Sequence, residues 1–133
     1  MFRFQVWSCL CVACCMAAGC SRKVNVKDFI PPDDVARKAL TTVLDAWKSG
    51  KPFGQIDATA PKIDARDSNW QAGKKLTAYE IVGPTPGDDQ TKRFTVKITL
   101  DGASAPQDAV YIIAGKDPIW VYNLIDYQKT SGM

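Results

Sequence analysis

From Thr91 to Leu100 apolar and polar side chains alternate: Phe94, Val96, Ile98 and Leu100 fall on one side, Arg93, Thr95, Lys97 and Thr99 on the other. A period of two marks a strand with one face on a core and one in water. Burying the four apolar side chains contributes about 1.5–3 kcal/mol each before chain entropy is counted. Earlier in the chain the period changes. Ala36, Leu40, Val43 and Trp47 recur at steps of four, three and four, with Ala39 and Leu44 widening the stripe, which predicts an amphipathic helix. Its limits are punctuated by Pro31 and Pro32 before it, Asp33 and Asp34 in its first turn, and Lys48, Gly50 and Pro52 at its end. Asp33 with Arg37 and Asp34 with Lys38 are spaced as acid-before-base pairs, worth about 0.2–0.5 kcal/mol each on an isolated helix.

Three more strands are expected. Lys74 to Val82 is closed by the run Gly83 to Asp89, and Ala109 to Ala114 is joined to Ile119 to Leu124 through Gly115, Lys116, Asp117 and Pro118. Such short connections imply antiparallel neighbours. The stretch from Phe53 to Gly73 carries the weakest pattern: Lys62 to Arg66 reads as a short edge strand, and Ser68 to Gly73 as one helical turn capped by Ser68. The expected fold is α+β, one long N-terminal helix packed on a three- to four-stranded antiparallel meander, within a single domain over residues 33–133.

The N-terminus follows another logic. After Arg3 an apolar run from Phe4 to Ala18 ends in Ala17, Ala18 and Gly19 immediately before Cys20. Its length is that of a signal-peptide core, short of the about 20 apolar residues a spanning helix needs. These residues resemble the lipobox of bacterial lipoproteins, with Ala17 where Leu is commoner; the resemblance implies cleavage of residues 1–19 and a lipid on Cys20 that anchors the chain to a membrane. Two other readings stay open: Arg22, Lys23 and Lys27 outweigh Arg3, which under the positive-inside rule favours an uncleaved anchor, and ordinary secretion is the third. Residues 21–31 form a polar tether that spans up to about 35–40 Å when extended.

Composition removes whole classes of function. Of 133 residues, cleavage before Cys20 leaves 114, and loss of Arg3 takes the net charge from +3 to +2. That charge is too small and too evenly mixed for a nucleic-acid partner. All five cysteines lie in the first twenty residues and there is no histidine, so the exported part has no internal disulfide and lacks the spaced Cys and His pairs of a structural metal site. No metal, cofactor or phosphate-binding motif is expected. The missing histidine excludes a Ser-His-Asp triad, and Glu80 is the only glutamate. Asp64 and Asp67, close to Trp70, are the nearest approach to a carboxylate pair, but aspartates commonly sit in turns; no catalytic residue is assigned. The aromatic side chains are the more informative group. Alternation sets Trp120, Tyr122 and Leu124 on one strand face, and Trp70, Trp120 and Tyr122 form the candidate binding surface, unless the segment from Phe53 to Gly73 covers them.

The order of one helix followed by a meander, with Asp67-Ser68-Asn69-Trp70, Gly73-Lys74-Lys75-Leu76 and the run from Gly115 to Tyr122, resembles small cystatin-like or NTF2-like α+β domains and uncharacterised exported lipoproteins of planctomycete type. The extra helices that close a conical pocket in larger NTF2-like proteins are missing from this pattern. The expected function is a non-enzymatic, lipid-anchored cell-envelope protein on the periplasmic side of the outer membrane, serving as a protein-binding or accessory module. The alternative is a small-ligand carrier or NTF2-like enzyme with a pocket between helix and sheet.

Overall fold

The computed structural model describes residues 30–86, 91–130 and 132. The signal-like segment and Cys20 lie outside these residues. The chain forms α1 (Asp33–Lys48), β1 (Ile63–Arg66), α2 (Ser68–Gln71), β2 (Leu76–Pro84), β3 (Lys92–Leu100), β4 (Gln107–Ala114), β5 (Ile119–Asn123) and α3 (Leu124–Thr130). The class is α+β, and the strands build one sheet in the order β1-β5-β4-β3-β2.

From β2 to β5 the strands pair antiparallel with their sequence neighbours, as short turns require. The expectation of a wholly antiparallel sheet of three or four strands is corrected by β1, which pairs parallel with β5 and brings Ile63 opposite Ile119 and Arg66 opposite Tyr122. Between them lie α2 and three strands, and so long a connection leaves the direction of pairing free. The result is a five-stranded mixed sheet. At the opposite edge, β2 runs on through Gly83 and Pro84, two residues past its predicted end. A register shift between Ile81 and Gly83 bends it there, and a proline that closes an edge strand removes no donor from an interior ladder.

The core lies between α1 and the sheet. Leu40, Leu44, Val96, Ile98 and Ile113 have no accessible surface, and Phe94 retains 1%. They share one cluster with Val43, Trp47, Trp70, Tyr111 and Val121, so the helical stripe and the alternating face of β3 meet in a single apolar body. Charges at the start of α1 look across to the sheet instead of along the helix. Asp33 pairs with Lys92 at 2.6 Å, and the Arg37 guanidinium lies 5.4 Å from the centre of the Phe94 ring. The helical pairs Asp33–Arg37 and Asp34–Lys38 do not form among the described residues; for Asp33 and Arg37, β3 offers Lys92 and the Phe94 ring instead.

The second face of the sheet is drier than alternation predicts. Ile112 points away from the α1 core, between Tyr111 and Ile113, yet is wholly buried. The unpredicted α3 packs against β4 and β5. It begins where Asn123 turns its Oδ1 to accept the Ile125 amide at 3.1 Å, which ends β5 and takes Leu124 off the face shared by Trp120 and Tyr122.

Candidate functional site

β1 ends at Arg66, and Asp67 turns the chain into α2. Asp67 is extended (φ −144°, ψ 116°) and its Oδ1 accepts from the amides of Asn69 at 2.8 Å and Trp70 at 3.4 Å. The cap is therefore Asp67 and not Ser68. An N-cap oxygen must reach the second and third helical amides from outside the helix, and Ser68 is already its first residue. The Ser68 amide donates to Asp126 Oδ2 of α3 at 2.8 Å, so aspartates from two elements satisfy the start of α2. Asp67 Oδ2 accepts from the Tyr111 hydroxyl at 2.5 Å. Asp67 and Tyr111 are 3% and 1% exposed, and the phenol is pushed well above its usual range by burial first and by the Asp67 charge second.

Trp70 projects inward from α2. It stacks on Trp47 at 6.2 Å, donates its indole N–H to the Lys51 carbonyl at 3.0 Å, and is only 4% exposed. This removes Trp70 from the expected binding surface: an apolar ring on a one-turn helix that closes the core is buried by the packing that holds the helix. Trp70 instead supports Phe53, which meets it edge-on at 5.6 Å.

Trp120 and Tyr122 remain on the other face, half-buried. Their rings stack at 5.8 Å and 19°, as two residues apart on one strand allows. Tyr127 of α3 meets Tyr122 edge-on at 5.7 Å, and the Arg66 guanidinium lies 5.8 Å from the Trp120 centroid. Burial raises the Tyr122 phenol, an effect opposed by Arg66 and aided by Asp64 and Tyr127. Gly115 sets the start of this strand: at φ 88° a Cβ would stand 2.6 Å from the Pro118 carbonyl oxygen and 3.4 Å from Trp120 Cδ1.

These elements enclose a cleft of about 440 Å³. Phe53, Trp120 and Tyr122 supply its aromatic wall, Arg66, Gln71 and Lys129 its polar rim, and the α2 start its floor. The size is that of a ligand site. The structure thus unites two of the three expected residues, Trp120 and Tyr122, and separates the third. It also separates the carboxylates Asp64 and Asp67, since Asp64 lies beside Trp120 with the Arg66 Nε at 4.0 Å while Asp67 is buried. Phe53, Arg66, Gln71, Asp126 and Lys129 are not singled out by the sequence pattern, because the short helices α2 and α3 that bring three of them to the cleft start on single side chains, Asp67 and Asn123, and not on a repeating pattern.

A second concavity, about 430 Å³, lies between α1 and the beginnings of β1 and β5, lined by Val35, Ala39, Pro61, Ile63 and Ile119, with Lys38 and Thr42 beside them. Among the described residues no group of three or more His, Cys, Asp or Glu is placed to hold a metal ion. No family model, curated protein or solved structure matches this chain.

Proposed function

We propose that this chain is a non-enzymatic, lipid-anchored cell-envelope protein, held by lipid on Cys20 at the periplasmic side of the outer membrane, whose domain is a protein-binding or accessory module. The apolar run ending in Ala17, Ala18, Gly19 and Cys20 supports the anchor. The observation that carries binding over catalysis is the division of labour in the cleft. Its acids hold backbone and core groups, Asp67 through three hydrogen bonds and Asp126 through the Ser68 amide, while its aromatic wall and cations face outward. Aromatic and arginine side chains are the commonest anchors of protein partners. The helix-then-meander order supports the finer resemblance to cystatin-like or NTF2-like domains of planctomycete-type lipoproteins.

Two experiments test this reading. Cys20→Ala is expected to release the chain from the membrane fraction and abolish labelling by radioactive palmitate; a labelled mutant refutes the anchor. A photo-crosslinking residue at Gln71, introduced in cells, is expected to capture a discrete envelope protein in an adduct that Trp120→Ala diminishes. Absence of such an adduct, or indifference to Trp120→Ala, refutes the binding module.

The groove beside α1 favours a second reading, a carrier of a small apolar ligand, since its wall is largely apolar and it lies between helix and sheet. Thr42→Phe, at a half-buried position lining that groove, separates the two: it blocks a carrier and leaves the Gln71 adduct intact.

A further inference from the structure

We infer that the cleft between α2, β5 and α3 takes a peptide segment rich in carboxylates, seating an apolar side chain on the aromatic wall and a carboxylate on Arg66 and Lys129. The inference rests on the protein-binding reading and adds the chemistry of the partner. It follows from what each charged group in the cleft already does. Asp67 is buried and accepts from the Asn69 and Trp70 amides and from Tyr111. Asp126 receives the Ser68 amide. Neither acid pairs with a cation of the cleft among the described residues.

The cations are in the opposite condition. The Arg66 side chain is 53% exposed, and its one ion pair, to Asp64, is at the 4.0 Å limit. Its guanidinium lies against Trp120, which holds the fork in place without satisfying its N–H donors. Lys129 is exposed and pairs with no acid among the described residues. A guanidinium set against a ring and paired only at the distance limit, with a solvent-facing ammonium in the same cleft, selects an acceptor-only group, and a carboxylate accepts both N–H groups of a guanidinium at once. The stacked pair Trp120–Tyr122 and the edge of Phe53 lie within the same cleft, so an acidic segment with an apolar residue beside its carboxylate satisfies both chemistries together.

The test uses the full-length chain in neutral detergent, with indole N–H signals read by two-dimensional NMR. The probe is a capped pentapeptide alternating aspartate with phenylalanine; its lysine-for-aspartate counterpart is the control. The acidic peptide is expected to move the Trp120 indole signal and leave Trp47 and Trp70 in place, because those two donate to the Lys74 and Lys51 carbonyls inside the fold. Arg66→Gln, on a half-exposed side chain, is expected to weaken binding about three- to tenfold, the worth of a charge-assisted bond at a solvated rim. Lys129→Gln, on an exposed helical position, is expected to act in the same direction. Equal binding of both peptides, or no change with either variant, overturns the inference. So does a Trp120 response to vesicles of phosphatidylglycerol with none to the acidic peptide, which assigns the cleft to lipid headgroups. Failure of the peptide while the Gln71 adduct persists removes only the carboxylate preference; loss of the adduct removes the binding module itself.

Discussion

Tyr111→Phe removes the buried hydroxyl that ties β4 to the floor of the cleft, where it meets Asp67 and also Asn123. The substitution deletes one oxygen and keeps the ring, so packing against the α1 core is unchanged and only the hydroxyl is tested. That hydroxyl donates to Asp67 Oδ2 at 2.5 Å, with both residues almost wholly buried. A hydrogen bond to a charged acceptor contributes about 1.5–3 kcal/mol, and an acceptor left buried without its donor lies toward the upper end. Asp67 Oδ1 still accepts from Asn69 and Trp70, so α2 remains capped and the fold survives. The expected loss is about 2–3 kcal/mol, read by urea unfolding of residues 21–133 through tryptophan fluorescence. The denaturant slope should not change, since the surface exposed on unfolding is the same. Combination with Asp67→Asn should show coupling of more than about 1 kcal/mol, as expected for residues that share a bond. A loss below about 0.5 kcal/mol, or strict additivity, refutes the account of this contact as a strut.

Leu40→Ala, at a site with no accessible surface, should cost about 2–5 kcal/mol in the same assay, while Thr95→Ala on the opposite sheet face should cost much less; equal losses contradict the core assignment. Gly115→Ala should destabilise the domain and shift the Trp120 indole signal, because the added methyl meets the Pro118 oxygen at 2.6 Å in a backbone region L-residues avoid; an unshifted signal contradicts that role. Stability should fall as pH rises past about 10: burial holds Tyr111 well above the ordinary 10.0, and burial with the Asp45 hydrogen bond pushes Tyr79 to about 12. The unfolded phenols release their protons first, so the native state binds more protons over that window and the stabilisation is complete only below it. Unfolding free energies that stay level or increase above pH 10, or a decline that persists unchanged in Tyr79→Phe with Tyr111→Phe, contradict this linkage.

Local sequence sufficed for α1 and for the alternating strands because their signals repeat: seven of the sixteen residues of α1 are buried on one stripe, and Phe94, Val96 and Ile98 take the inward face of β3 at every second position. The short turns dictated the antiparallel order from β2 to β5 by reach alone. The pairing of β1 with β5, residues distant in sequence, was not legible, since four residues carry too little periodicity to name a neighbour or a direction. The same holds for α3, seven residues with none fully buried, whose start depends on one Asn123 side chain and whose position depends on Asp126 reaching Ser68 across 58 residues. The cleft inherits this division. Strand alternation alone put Trp120 and Tyr122 on one face, but only tertiary packing decided that Trp70 turns into the core, that Phe53 joins the wall, and that Arg66 and Lys129 meet at one rim. Periodicity reports which side of an element is apolar; which elements then meet is settled by long-range burial and hydrogen bonding that no local window contains.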